Sequence, residues 1–151
     1  MGKKIGIDLG TTYSVVSYVD DMGQICNIES SEGDKTTPSV VFFDPDGQTV
    51  VVGSAAREAG AMNPECLVER VKNFMGEPNY RCYVNGQEYS AAAVSALILK
   101  KLVGDAEQAL GGEEIEGAVI TCPAYLGDAA REATRKAGES VVLQNGEHLK
   151  V

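Results

Sequence analysis

A run of five residues near the amino terminus, Asp8-Leu9-Gly10-Thr11-Thr12, has the residue types of a phosphate-binding turn. An acid that closes an apolar strand directs its carboxylate into the following turn, and a glycine lets the backbone approach an oxyanion closely. Threonine amides and hydroxyls can donate to phosphate, and a carboxylate beside bound phosphate suits a magnesium ion held through water. An ordinary hairpin turn explains the same residues, and the chain contains no G-x-x-x-x-G-K-S/T loop.

Two cations further along the chain, Lys72 and Arg131, are candidates for surface charges, and Lys72 could instead reach a terminal phosphate. Lys72 belongs to a short amphipathic segment, and composition alone favours a solvated charge. A phosphate contact requires the fold to bring Lys72 back over the first turn. Arg131 follows Asp128 by three residues, which is the spacing of an ion pair on an exposed helix face.

Composition predicts one globular domain and limits its partners. The chain has 151 residues, of which 44% are hydrophobic and 23% charged, so it can bury a core. The formal net charge of −9 disfavours nonspecific binding to nucleic acid, although local amides or a metal ion can still neutralise a small anion. No apolar run reaches the length of a signal peptide or a membrane span, so we expect a cytoplasmic protein without a membrane partner.

Cysteine and histidine usage gives no sign of a metal centre. The four cysteines, Cys26, Cys66, Cys82 and Cys122, form no C-x-x-C pair and lie among apolar residues. We therefore expect small buried hydrophobes and neither zinc ligands nor disulfides. His148 is the only histidine, and its polar surroundings favour a surface position.

Residue patterns predict an α/β protein that opens with a β-meander. Strands are expected at 5–9, 13–19 and 25–28, followed by a hairpin formed by 39–43 and 49–52. Asn85-Gly86 gives the clearest hairpin turn, because both residues tolerate positive φ. A last strand at 117–122 precedes the final helix.

Helix signals are found in four places. Ser54 is expected to cap a helix through Ala61, and 65–75 is expected to form another. Ser90 should cap the longest helix, which runs roughly to Leu110. The last helix, 128–137, should end at Gly138, and after it a hairpin stops in mid-pattern, which suggests an excised fragment.

The run Ile5-Gly-Ile-Asp-Leu-Gly-Thr-Thr-Tyr-Ser-Val-Val16 resembles the first phosphate loop of the heat-shock protein 70 family, chaperones of the DnaK type. Its D-x-G-T-T turn alone would also suit sugar kinases. Three further matches separate the two: Thr36-Thr-Pro-Ser-Val-Val41, Lys72 in a K-x-x-x-G setting, and Val119-Ile-Thr-Cys-Pro-Ala-Tyr125 with the helix after it. They occur in the family order and cover nearly the whole chain.

The resemblance implies an actin-like ATPase fold, related to ribonuclease H, of which this chain would be the first lobe only. That lobe would combine a mixed sheet, opening with the meander, and a small α+β subdomain. Residues of about 1–34 and 111–151 would form the core, and about 35–110 the inserted subdomain and a crossing helix. The second lobe, the linker and the substrate-binding domain would be absent. The apolar face that Val94, Leu97 and Ile98 or the final strand would cover in the parent protein would then be exposed or satisfied by self-association.

The same resemblance implies a nucleotide site. Asp8 would hold the shell of a magnesium ion, with potassium as a second cation. The residues that would wrap the β- and γ-phosphates of ATP or ADP are Gly10, Thr11, Thr12 and Tyr13.

Two further roles follow from the resemblance. Lys72 would lie near the γ-phosphate and the attacking water. Pro123 and Arg131 would be the switch pair that relays the nucleotide state to the peptide-binding domain. Leu126-Gly127 and Cys122 depart from the usual family residues near that switch.

The implied function is that of a chaperone fragment. The parent protein would bind and hydrolyse ATP to drive protein folding under stress, with unfolded client polypeptides, a J-domain co-chaperone and a nucleotide-exchange factor as partners. The isolated fragment would be inactive. The alternatives are a lobe of a sugar or acyl kinase with the actin-like fold and a lobe of a filament-forming actin-like protein.

Overall fold

The computed structural model describes residues 2–30, 32–77, 79–121 and 127–151. The strands are β1 (Lys3–Leu9), β2 (Tyr13–Val19), β3 (Ile25–Ile28), β4 (Thr37–Pro38), β5 (Val40–Phe43), β6 (Val50–Val52), β7 (Leu67–Glu69), β8 (Cys82–Val84), β9 (Gln87–Tyr89) and β10 (Ile115–Ile120). The helices are α1 (Ser54–Met62), α2 (Ala91–Ala109) and α3 (Gly127–Glu139), with short 3-10 helices at Pro64–Cys66 and Val71–Phe74.

The predicted β-meander supplies three adjacent strands of a five-stranded mixed sheet. Its order is β10-β1-β2-β3, and β4 adds to β2. β1 runs parallel to β10 and antiparallel to β2. Ile5, Ile7 and Leu9 alternate with more exposed neighbours and are buried, so one face of β1 lies in the core.

Helix α2 covers that buried face. As predicted, Ser90 caps it: the Ser90 side chain accepts a hydrogen bond from the Ala93 amide at 3.1 Å. Val94 and Ile98 are fully buried against the sheets, and Leu149 near the chain end is buried as well. Val94 and Ile98 therefore form no exposed apolar face, whereas Val119 of β10 and Val142 near the chain end are 71% and 53% exposed.

A smaller sheet with the order β6-β5-β7 packs against α1 and α2. The predicted helix at 65–75 is wrong, because 67–69 is strand β7. Leu67 pairs with Phe42 of β5, and Val68 is buried against that sheet. Pairing with the central strand β5, which is fully buried, therefore overrides the helix preference of these residues.

Two helix ends also differ from the prediction. The N-cap of α1 is Gly53, with φ of 93°, and Ser54 is already helical; its hydroxyl donates to Asp34 at 2.7 Å. Gly138 lies inside α3, where a Cβ would come within 2.7 Å of Ile120. The β8–β9 hairpin is confirmed, since Asn85 and Gly86 have φ of 52° and 79°.

The chain end folds back onto β10. The predicted final hairpin contains one isolated bridge, between Val142 and His148, and the Lys150 carbonyl accepts from the Ala118 amide at 2.8 Å. His148 is exposed, as expected. Of the cysteines in the described residues, Cys66 is buried, Cys26 and Cys82 are half-buried, and all three are free thiols. The described helices include none with the length and apolarity needed to cross a bilayer.

Candidate nucleotide site

Asp8 and Thr121 meet at one edge of the larger sheet. Asp8 lies at the end of β1, and Thr121 directly follows the parallel strand β10, so the two carboxyl-terminal ends coincide. The Thr121 amide donates to the Ile7 carbonyl at 2.9 Å, and its hydroxyl donates to Asp8 Oδ1 at 2.9 Å. Asp8 is exposed, which leaves its carboxylate accessible to a ligand beyond the sheet edge.

Gly10 forms a tight turn that no other residue can form without rearrangement. A Cβ at this position would lie 2.1 Å from the Tyr13 carbonyl oxygen. The backbone therefore curls back on itself between β1 and β2. This turn, the Gly10 cradle, has no side chain at Gly10 that would keep an anion away from the main chain.

The turn is anchored by the segment between β4 and β5. The Ser39 amide donates to the Thr12 carbonyl at 2.8 Å. The hydroxyls of Ser14 and Ser39 lie 2.7 Å apart in the interior. Neither serine was predicted as a site residue, and the only signal in the sequence was the Thr36-Thr-Pro-Ser39 run.

Lys72 lies at the turn and not in solvent. It is 7% exposed, and its Nζ donates to the Leu9 carbonyl, one residue before Gly10. The chain reaches this point because Arg70 adopts a left-handed conformation, φ 60°, between β7 and the 3-10 helix Val71–Phe74. The solvent-exposed position that composition favoured for Lys72 is wrong. Lys72 lies beside the first turn, which is the position that a phosphate contact requires.

Two further side chains contact the turn, and sequence analysis missed both. The Thr11 hydroxyl donates to Asn73 Oδ1 at 3.4 Å. Arg57 of α1 donates from Nη1 to the Tyr13 hydroxyl at 3.2 Å, and its Cζ lies 5.1 Å from the centre of the Tyr13 ring. No spacing rule could have found these contacts, since about 44 to 62 residues separate the partners along the chain.

The segment that carries Lys72 also touches α3. Gly76 has φ of 83°, and a Cβ there would lie 2.7 Å from the Ala130 amide nitrogen. The next helical residue, Arg131, is exposed and forms the predicted ion pair with Asp128 at 3.6 Å. Pro123 lies outside the described residues.

The site fits a magnesium ion bound through water together with a polyphosphate. The Gly10 cradle is closed to any Cβ, and Asp8 supplies an accessible carboxylate. Among the described residues, no three acidic, histidine or cysteine side chains converge as metal ligands. One accessible carboxylate is compatible with magnesium, which keeps several waters and takes other ligands from phosphate.

Comparison with known proteins identifies the family. The family model described as Hsp70 protein matches residues 4–82 and 77–145. The chain is 46% identical over 134 residues to the chaperone protein DnaK of Thermotoga petrophila and to that of Thermotoga maritima, and 45% identical to that of Thermosipho melanesiensis. Each alignment covers 89% of this chain and 22% of the relative. The chain belongs to the Hsp70 family.

Family membership confirms the coarse fold prediction. The Hsp70 family has an actin-like ATPase fold, and the mixed sheet with its covering helices is consistent with it. The matches support an Hsp70-family chaperone fragment, and none of them favours a sugar kinase or a filament protein. The chain spans about a fifth of the length of the curated relatives it matches, 22%.

Proposed function

We propose that this chain is the first lobe of the nucleotide-binding domain of a cytoplasmic DnaK-like chaperone, which binds and hydrolyses ATP to drive protein folding. The observation that carries the proposal is the burial of Lys72 against the Leu9 carbonyl, beside the Gly10 cradle. In this assignment, residues of about 1–34 and 111–151 form the core. Residues of about 35–110 form the inserted subdomain and the crossing helix.

The chemistry proposed for the turn is positioning and charge stabilisation. The backbone of Gly10 to Tyr13 cradles the β- and γ-phosphates, and Asp8 holds waters of the magnesium shell. Bound magnesium neutralises phosphate charge, and potassium is proposed as a second cation. The Lys72 ammonium stabilises the charge that develops on the transferring phosphoryl group near the attacking water.

The proposed partners follow from the same assignment. They are unfolded client polypeptides, a J-domain co-chaperone and a nucleotide-exchange factor. Pro123 and Arg131 are proposed to relay the nucleotide state to the peptide-binding domain. The close approach of Gly76 to Ala130, next to Arg131, supports a connection between the Lys72 segment and that relay.

The substitution Asp8→Asn in the full-length protein tests the metal role. Magnesium-dependent turnover should fall by orders of magnitude while the fold persists, because Asp8 is exposed and an asparagine oxygen can still accept from Thr121. Asp21→Asn, which alters another exposed carboxylate, is the matched control and should leave turnover unchanged. Equal turnover in the Asp8→Asn and wild-type proteins would contradict the assignment.

The 151-residue chain itself tests the assignment to a single lobe. One phosphate turn must offset the cost of association alone, so affinity for magnesium ATP should be millimolar or weaker, about −4 kcal/mol. Phosphate release should be undetectable, because groups that act as a catalytic unit lose their effect when part of the unit is missing. Micromolar binding in calorimetry, or steady phosphate release, would contradict the single-lobe assignment.

A further inference from the structure

Arg57 is fixed against the phosphate turn by two contacts with Tyr13. Its Nη1 donates to the Tyr13 hydroxyl at 3.2 Å, and its guanidinium carbon lies 5.1 Å from the ring centre. Tyr13 remains 47% exposed, and Arg57 is exposed as well. A guanidinium has five N–H donors, so the bond to Tyr13 leaves most of them able to face a ligand.

The charges around the turn indicate that a phosphate ligand needs a nearby cation, which Arg57 can supply. Residues 8–13 contain one charged side chain, the anionic Asp8, and the whole chain carries a net charge of −9. Lys72 is buried and donates to the Leu9 carbonyl on the inner side of the turn. Arg57 supplies positive charge on the accessible side, where a polyphosphate would otherwise meet a repulsive field.

We propose that Arg57 is a further phosphate-binding residue of this site, held by Tyr13 in a position to donate to the outer oxygens of a bound polyphosphate. The proposal rests on the proposed function, since it assumes that the turn binds phosphate. Stacking on Tyr13 fixes the guanidinium before the ligand arrives, so little side-chain entropy is lost on binding. Two parallel N–H donors suit phosphate oxygens better than a lysine ammonium does.

Titration of the full-length protein with magnesium tripolyphosphate and with magnesium ATP, followed by calorimetry, tests the proposal. Arg57→Gln should raise both dissociation constants about tenfold, which is the typical effect of losing one charge-assisted contact. Arg57→Lys should give an intermediate loss. Arg135→Gln removes the same charge from an exposed ion pair with Glu132 on α3 and should leave both constants unchanged.

The role of Tyr13 is tested by Tyr13→Phe, which keeps the ring but removes the hydroxyl that Arg57 contacts. If Tyr13 acts by holding Arg57, the double variant should bind no more weakly than Arg57→Gln alone.

An unchanged dissociation constant in Arg57→Gln would overturn this inference and leave the proposed function standing. A lower melting temperature of Arg57→Gln without a binding defect would have the same meaning. An effect on ATP but not on tripolyphosphate would overturn the phosphate contact. No binding by the wild-type full-length protein would overturn both.

Discussion

Lys72 and Arg131, the two cations singled out in the sequence, lie in opposite environments. Lys72 is 7% exposed and donates to a backbone carbonyl, whereas the Arg131 side chain is 65% exposed and pairs with an exposed carboxylate at 3.6 Å. Burying an ammonium is costly unless hydrogen bonds compensate, so Lys72 is fixed before a ligand arrives. The exposed Arg131 ion pair contributes little to stability. A buried cation suits charge stabilisation, and an exposed cation suits a relay.

Gly10→Ala, in the turn that contacts the buried Lys72, should have the largest effect on stability and on phosphate binding. The new Cβ would lie 2.1 Å from the Tyr13 carbonyl oxygen, so the turn must open. We expect a loss of about 3 kcal/mol in unfolding free energy, together with loss of phosphate binding. Urea unfolding and titration with magnesium tripolyphosphate measure the two effects.

Gly104→Ala is the matched control for that variant. Gly104 lies inside α2, is exposed, and no atom lies within 4 Å of the Cβ that alanine would add. Alanine there should stabilise the helix by up to about 1 kcal/mol. Equal unfolding free energies of Gly10→Ala and Gly104→Ala would contradict the claim that the turn has no room for a Cβ at Gly10.

Lys72→Ala separates the structural from the catalytic contribution of the buried cation. The Leu9 carbonyl loses a donor, so unfolding free energy should fall by about 1–3 kcal/mol. In the full-length protein, hydrolysis should slow by about 10²-fold with little change in nucleotide affinity. Lys100→Ala, which alters an exposed lysine on α2, should change neither quantity. A defect in affinity alone would mark Lys72 as a binding residue only.

Lys101, a half-buried lysine, extends the comparison to pH. Lys101 bridges Glu32 at 3.0 Å and Asp105 at 3.2 Å. Burial alone would raise the pKa of Glu32, but the hydrogen bond and charge of Lys101 outweigh it and bring that pKa below the ordinary 4.5. Burial would likewise lower the pKa of Lys101, yet its carboxylate partners raise it above 10.5.

These directions fix the pH window in which the Glu32–Lys101 pair stabilises the fold. A lowered carboxyl pKa contributes stability that is present above the ordinary pKa and is lost as pH falls through the folded one. The difference in melting temperature between wild type and Glu32→Gln should therefore be constant from about pH 6 to 9 and shrink below about pH 4.5. A difference that persisted unchanged at pH 3 would contradict the ion pair.

Arg131→Gln should have the smallest effect on stability. The ion pair with Asp128 is exposed, so unfolding free energy should change by less than about 0.5 kcal/mol. In the full-length protein the same variant should uncouple ATP binding from peptide release more than it alters ATP affinity. A matched loss of both, or a large loss of stability, would instead indicate a structural residue.

Local signals predicted the sheet well and the 65–75 segment poorly. Alternating apolar residues located β1, β2 and β3, and Asn85-Gly86 located a hairpin, because these signals act within a few residues. The region 65–75 has helix-forming residues, but pairing of Leu67 and Val68 with β5 determines its structure. That pairing spans a long stretch of chain, so no local pattern could report it.

In the candidate site, too, residues with a local sequence signal could be predicted, and residues placed by long-range contacts could not. Asp8 and Gly10 could be found from their position after an apolar strand, a local feature. The contact of Lys72 with Leu9 depends on the left-handed conformation of Arg70, at φ 60°, for which an arginine gives no signal. The residues left Lys72 open as a phosphate contact and the family resemblance favoured that role, whereas Arg57 and Ser39 required the folded chain.

The approach of Gly76 to α3 has a mechanical consequence. Where two elements meet through side chains, a small rotation of one can be absorbed by a change of rotamer. At Gly76 the two backbones meet directly, since even a methyl group would come within 2.7 Å of the Ala130 nitrogen. Rotation of α3 is therefore passed on as movement of the main chain four residues from Lys72, which makes this contact a stiff coupling rather than a compliant one.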